Sequence, residues 1–362
     1  MKLSLSSNFR LKVKKVLFIT LAWMILTVLF SILDWITLRS YDHLPPDDFP
    51  IQVWVQLFAA LRGGVLGGIF LVFVLEGWLR RMPFWRVLLG TSFWFSIIFT
   101  FVSFGASMWY HHLSEGVALF SDDTVQAAID FIGTPPFLKG FITWALVNAF
   151  TIFILKVSDK YGPIVFADFL LGRYFRPVRE ERIFMFLDLR SSTTIAEKLG
   201  EVRYFNLLYD FIRDSTESIL ANRGQIYQYV GDEIVVTWKV DRGIKQAYCL
   251  QCFFDIQRAI QANAEYYHNT YGLVPEFKAG LHYGHVMAGE IGLVKKDIAF
   301  SGDVLNTTAR IQSMCNQLGV DILLSKYLLD RIAAEEPLIE AARFLGDIEL
   351  RGKQERVMLY TL

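Results

Sequence analysis

Four stretches of this chain are apolar over lengths that a bilayer buries far more readily than a protein core. They run over roughly residues 16–38, 57–79, 86–109 and 138–156. A helix needs about 20 such residues to cross the hydrocarbon layer, so each stretch predicts a membrane-spanning helix. All four lie in the first part of the chain, and from about residue 180 the composition is that of an ordinary globular domain. The 362 residues therefore divide into a membrane domain over 1–156, a connector over 157–181 and a second domain over 182–362.

Lys and Arg number 36, and so do Asp and Glu. A neutral chain has no global field to draw in a nucleic acid polymer or an acidic partner. Local charge says more. Arg10, Lys12, Lys14 and Lys15 precede the first span, Arg80, Arg81 and Arg86 fill the short second link, and Lys156 and Lys160 follow the fourth span. The other two links carry Asp42, Asp47 and Asp48, then Glu115, Asp122, Asp123 and Asp130. The positive-inside rule then places the N-terminus, the basic link and the C-terminal domain in the cytoplasm. This is the expected topology of a multi-pass protein of the inner (plasma) membrane. The first apolar run is too long for a signal peptide and lacks a small-residue cleavage site after it.

Trp35, Trp78, Trp85, Trp109 and Tyr110 lie near span ends, as an interfacial belt would. Arg62, Glu76 and Lys139 fall within or beside spans and are expected at span ends, where long side chains reach the interface. A small-molecule ligand or a membrane partner for these spans is left open. The outer loop 111–136 holds an amphipathic stretch over 124–132. In the connector, Ile164, Val165, Phe169, Leu170 and Leu171 precede Arg173 and Arg176. They suit a short helix lying on the membrane or paired with its copy.

Cys249, Cys252 and Cys315 fall on the predicted cytoplasmic side, where disulfides are rare. The Cys249/Cys252 spacing sits inside an amphipathic helix from Gln246 to Ala262, without a second cysteine pair, and reads as helix core.

In the second domain the hydrophobic period changes. Ile183 to Leu189 predicts a buried strand, and Ser192 to Leu199 and Val202 to Ala221 predict helices. Gly224 to Val230 and Glu233 to Trp238 predict a hairpin turning at Gly231-Asp232. Phe277 to Tyr283 and His285 to Ile291 read as a second hairpin around Gly284. Thr308 to Leu318 is helical, Val320 to Ser325 is a strand, and Phe344 to Leu350 with Arg356 to Thr361 closes the domain. The interleaving predicts an α+β sandwich of the ferredoxin-like kind.

Asp188 and Asp232 each stand where an apolar strand-type run ends and the chain turns. Two carboxylates delivered that way suit hard, oxygen-loving cations such as Mg²⁺. Paired cations of this kind drive displacement at phosphorus.

Around these aspartates, five pieces occur in order. They are Phe186-Leu187-Asp188-Leu189, Gly231-Asp232-Glu233, the run from Gly280 to Val286, the run from Gly302 to Arg310, and Leu350-Arg351-Gly352-Lys353. Together they resemble the catalytic domain of class III nucleotidyl cyclases. The resemblance implies a membrane-anchored enzyme that converts ATP to 3′,5′-cyclic AMP and pyrophosphate. It implies that Asp188 and Asp232, with Leu189 beside them, hold two Mg²⁺ or Mn²⁺ ions. Leu189, Arg190, Ser191 and Ser192, running from strand into helix, would offer backbone N–H groups to phosphate. Asn306 and Arg310, one helical turn apart, would orient the ribose and stabilise charge on the pentavalent phosphorus. Arg351, with Lys353 as the less favoured choice, would bind the terminal phosphates. Each site would be completed by a second copy of the chain, so the resemblance implies a homodimer.

The base-selecting positions depart from the pattern. Gln228 replaces a common lysine and Ala299 a common Asp or Thr, although Asp297 is close by. Glutamine both donates and accepts hydrogen bonds, so guanine or a pyrimidine fits as well as adenine, and adenine rests on the family's habit. A diguanylate cyclase would need a Gly-Gly-Asp-Glu-Phe run, but Val230 and Ile234 flank Gly231-Asp232-Glu233. An inactive membrane receptor would have lost a metal aspartate or Arg310, and the chain keeps both. A transporter would rest on the spans alone.

Overall fold

A computed structural model describes residues 7–40, 49–75, 82–162, 166–168, 171–294, 296–332, 337–349 and 356–362. The chain forms two compact units, Met1–Pro163 and Ile164–Leu362.

The first unit is helical. It holds α1 (Ser7–Ser40), α2 (Phe49–Ile69, continued by a π-helical turn Phe70–Val74), α3 (Phe84–Glu115), α4 (Asp122–Phe131) and α5 (Pro135–Tyr161). Four of these are long and apolar enough to cross a membrane. They exceed the predicted spans because polar residues at their ends find partners on neighbouring helices. Lys15 Nζ on α1 meets Asp159 Oδ1 on α5 at 3.1 Å, and Lys139 on α5 pairs with Asp34 on α1. Near the start of α2, Gln56 Oε1 accepts a hydrogen bond from Ser31 at 3.0 Å. Gly64 lets α1 and α2 close together, since a Cβ there would lie 2.8 Å from Thr20 Cα.

Arg62 corrects an expectation. It lies near the middle of the Phe49–Val74 span rather than at its end. Its Nε donates to the Phe58 carbonyl at 3.3 Å, and its Nη2 is buried without a partner. Glu76 and Trp78 lie outside the described residues.

The second unit is built on one mixed sheet of β1 (Val178–Leu189), β2 (Gln225–Val230), β3 (Glu233–Lys239), β4 (Phe277–Ile291), β5 (Asp297–Ser301), β6 (Ile322–Ser325), β7 (Arg343–Glu349) and β8 (Arg356–Thr361). The order is β2-β3-β1-β4-β6-β8-β7, with β5 on β4. Among the described residues only the β4–β6 pair is parallel. The helices are α6 (Ser192–Leu199), α7 (Glu201–Ala221), α8 (Tyr248–Ala262), α9 (Ala264–Tyr271) and α10 (Asp303–Leu318), with short helical turns between.

Strand β1 explains why its sequence reads as continuously apolar. Alternate residues of a strand face opposite sides. Ile183, Met185, Leu187 and Leu189 enter a core with Phe211 of α7 and Phe253 of α8, while Phe184 and Phe186 enter another with Val304 of α10. Both faces are covered, so there is no polar alternation to see. Cys249 and Cys252 are fully buried in the first core, and burial pushes the Cys249 thiol up to about 12.

The second hairpin expected around Gly284 does not form. β4 runs unbroken from Phe277 to Ile291, with Ile183↔Tyr283, Arg182↔Gly284 and Glu181↔His285 in register. Gly284 is there because a Cβ would come within 3.1 Å of Val304 on α10. The hairpin partner is β5, which pairs with the far half of β4.

The tightest approach is at Gly280. A Cβ there would lie 2.4 Å from the Gln312 backbone nitrogen. Gly280→Ala must therefore push α10 off the sheet, at a cost of roughly 3 kcal/mol or more. Thermal unfolding of the variant checks this, and a wild-type midpoint would contradict the packing described.

Candidate active site

Asp188 follows Phe184 and Phe186 on the same face of β1, which is the face that α10 covers. Asp232 sits in the β2–β3 turn, where Gly231 supplies φ +62°. Because β3 pairs with β1 through Asp188↔Glu233, the turn brings Asp232 beside Asp188. The two carboxylates interact directly.

Oδ2 of Asp188 accepts from Gln312 Nε2 on α10 at 2.9 Å and lies 3.3 Å from Lys278 Nζ on β4. Oδ2 of Asp232 is buried with no partner. Burial, followed by the neighbouring Asp232, raises the Asp188 pKa, against the opposing effects of Gln312 and Lys278. Glu233 is pushed up to about 7, first by burial and then by the charges of Asp188 and Asp232. The Tyr204 pKa on α7 is raised mainly by burial and then by the charge of Asp232, against the opposing effect of Ser192.

This arrangement fits a divalent cation. It offers hard oxygen donors, one of them orphaned, and crowded negative charge that a cation relieves. Among the described residues no three His, Cys, Asp or Glu side chains surround one point. That too suits Mg²⁺, which is usually held by one or two carboxylates together with substrate phosphates and water.

The phosphate-binding segment is built differently from its expected form. The Arg190 backbone N–H already donates to the Glu276 carbonyl at 2.8 Å. Its guanidinium is held by Asp321, Asn316 and the Val320 carbonyl, so it ties the end of β1 to the α10–β6 junction. Ser191 adopts φ +54° as the N-cap of α6, whose first residue is Ser192.

Asn306 and Arg310 lie on α10, away from the aspartates. Neither side chain has a hydrogen-bond or ion-pair partner among the described residues. Gln312, which touches Asp188, is two positions beyond Arg310, or about 200° around the helix. Arg310 and Asp188 of one chain are therefore held on opposite faces of α10.

Gln228 is exposed on β2, just after a bulge at Tyr227. The Tyr227 hydroxyl accepts from the Phe300 N–H at 3.2 Å, and the rings lie 4.9 Å apart. This contact ties the strand bearing Gln228 to β5, which carries Ala299 opposite Gly289. Arg351 and Lys353 lie outside the described residues.

Lys278 and Gln312 were missed by sequence reasoning. The visible signal for Lys278 is a lysine inside an otherwise apolar strand. Gln312 carried no signal until α10 was placed.

The family description "Adenylate and Guanylate cyclase catalytic domain" matches residues 178–362. The chain belongs to the adenylate and guanylate cyclase family. "Adenylate cyclase 2" of Rhizobium meliloti (strain 1021) is 39% identical over 211 residues, which are 58% of each chain. "Adenylate cyclase" of Anabaena cylindrica is 25% identical over 49% of this chain and 35% of its own length. The cyclase thus spans little more than half of the first relative and about a third of the second. A solved bacterial light-regulated adenylyl cyclase superposes with a TM-score of 0.53 at 19% identity, covering 64% of this chain and 66% of that one. At that identity the likeness establishes the fold, an α+β cyclase domain.

Two outcomes test the carboxylate cluster. In metal-free full-length protein, Asp232→Asn removes an orphaned buried acceptor and one repelling charge. Stability should rise by on the order of 1 kcal/mol. The same change should abolish the gain in melting temperature that Mn²⁺ gives the wild type. A persisting Mn²⁺ shift would count against the site.

Glu233 supplies a pH test. Its folded-state pKa lies above its unfolded value, so its stabilising share is present below the unfolded value and is lost as pH rises through the folded one. Between the ordinary 4.5 and about 7, metal-free wild type should lose stability relative to Glu233→Gln. Parallel melting curves with no divergence over that interval would exclude the assignment.

Proposed function

We propose that the protein is a membrane-anchored homodimeric adenylate cyclase that converts ATP to 3′,5′-cyclic AMP and pyrophosphate. The observation that carries the two-chain site is the division of residues across α10. The carboxylates gather on the side that Gln312 faces, whereas Asn306 and Arg310 point away from it and have no side-chain partner among the described residues. One chain therefore has both halves of a site and joins neither to the other. Two chains related by a twofold axis supply each other's missing half.

In this reading Asp188, the neighbouring Leu189 and Asp232 hold two Mg²⁺ or Mn²⁺ ions. Bound there, such ions supply Lewis acidity, which lowers the pKa of the ribose 3′-hydroxyl and neutralises the departing pyrophosphate. Lys278 and Gln312 fix the Asp188 carboxylate by occupying Oδ2. Asn306 of the other chain orients the ribose, and its Arg310 donates to the phosphorus oxygens as charge accumulates on them. Leu189, Ser191 and Ser192 border the phosphates, with Arg190 acting as a brace. Arg351 binds the terminal phosphates.

Adenine is favoured by the names of the relatives rather than by Gln228 and Ala299, which also suit guanine or a pyrimidine. Four helices of membrane-spanning length support the anchor. The basic residues at the start of α1 and between α2 and α3 support a cytoplasmic N-terminus and catalytic domain.

One experiment covers the enzyme and its division. Purified full-length dimer with Mn²⁺ receives ATP, GTP, CTP and UTP in parallel, and cyclic product and pyrophosphate are measured. ATP should give the highest kcat/KM, and the absence of any cyclic product would end the enzyme reading. Arg310→Ala should lower kcat by about 10²–10³. Co-expressed Asp188→Ala and Arg310→Ala chains should recover activity through one intact site, whereas no recovery would sink the shared site.

A further inference from the structure

The helical unit surrounds a cavity of about 720 Å³ between α1, α2, α3 and α5, with Phe131 of α4 in its lining. That size lies within the usual range for small-molecule sites. Its walls are largely apolar, with the rings of Trp23, Phe30, Phe95, Phe99 and Trp144 among them. Trp23 and Trp144 pack at 5.4 Å, and the Trp23 indole N–H is already used by Thr151 at 3.1 Å. These rings therefore offer an apolar surface suited to another ring.

Charge narrows the occupant. Asp34 and Lys139 both line the cavity and pair with each other, and His111 is held by Glu115. Arg62 is not part of the lining. A charged occupant would lose its water and meet no free counter-charge, which is strongly unfavourable.

The polar groups say what the occupant carries. Asn148 is only 5% exposed and Ser107 8%, and both line the cavity. Neither side chain has a hydrogen-bond partner among the described residues. A buried amide without a partner is rare in a settled interior. A carbonyl or hydroxyl oxygen entering the cavity would satisfy it.

We propose that this cavity binds a neutral, ring-bearing lipophile of the quinone class, drawn from the bilayer, with an oxygen on Asn148 and its ring against Trp23 and Trp144. The inference rests on the membrane-spanning reading of these helices and not on the cyclase reading.

Full-length protein in phospholipid nanodiscs is titrated with decylubiquinone, and binding is followed by tryptophan quenching and calorimetry. Saturable binding at one per chain is expected. Asn148→Leu should weaken it at least about tenfold, the effect of losing one buried hydrogen bond. Gly63→Leu should abolish it, because a Cβ at this lining position meets no atom within 4 Å and the side chain can fill the space without a clash. If either larger change unfolds the unit, Ser107→Ala serves in its place and should weaken binding severalfold. Decanol and oleate, which lack a ring or carry a charge, should bind at least tenfold more weakly. Non-saturating uptake equal in wild type and variants would overturn the site. Tight binding of oleate or decanol would overturn the ligand class. Cyclic nucleotide formation is read separately in the same discs, so its failure would fault the catalytic proposal and leave this one standing.

Discussion

The catalytic face depends on how closely α10 can approach β4. At Gly280 the helix backbone lies where a β-carbon would be. Phe186 of β1 is directly opposite Gly280 in the ladder, so the depth of this contact sets where α10 sits over the strand that ends in Asp188. Gln312 then reaches Asp188, and the Cys315 thiol reaches the Ala279 carbonyl at 3.5 Å. The same rotation turns Asn306 and Arg310 outward. A helix has one angular setting, so seating Gln312 on the carboxylate and turning Arg310 toward it are mutually exclusive. A small residue in β4 thus holds Arg310 and Asp188 of one chain apart.

Much of this could be read from the chain because strand period and motif order are local. The alternation in β1, the Gly231-Asp232 turn and the helical spacing of Asn306 and Arg310 are short-range patterns. The errors came where a local signal had a non-local cause. Gly284 looks like a turn, yet its lack of a side chain answers Val304 on α10, far along the chain. Arg62 looked like a snorkelling end residue because the apolar run was taken to begin after Gln56. Gln56 is satisfied by Ser31 of α1, so the helix extends outward and Arg62 moves to its middle. The Arg190 backbone N–H looked available for phosphate, but it donates to the Glu276 carbonyl, far along the chain.

The membrane unit shows the same limit. Length and apolarity predict spans, and flanking charge predicts their direction. Neither predicts a cavity, because the gap depends on where Gly63, Gly67 and Ala60 of α2 fall against aromatic residues of the other helices. The pairing of Asp34 with Lys139 removes two charges from a lining that would otherwise favour an ion. Intramembrane charges carry meaning only once their partners are known.

Electrostatics joins the stability of the catalytic unit to its chemistry. Asp188, Asp232 and Glu233 cluster with Lys278 as the only cation placed against them among the described residues. Lys278 and Gln312 occupy one oxygen of Asp188, and an oxygen of Asp232 is left buried and unpaired. Burial first, and then repulsion among these carboxylates, raises the pKa values of Asp188 and Glu233. A divalent cation bridging these carboxylates would bind the folded state, because the unfolded chain does not hold them together. Binding free energy at this site is therefore also folding free energy. The repulsion within this cluster is the same field that would favour a divalent cation in the proposed site, so replacing either aspartate with a neutral group would relieve the one and weaken the other.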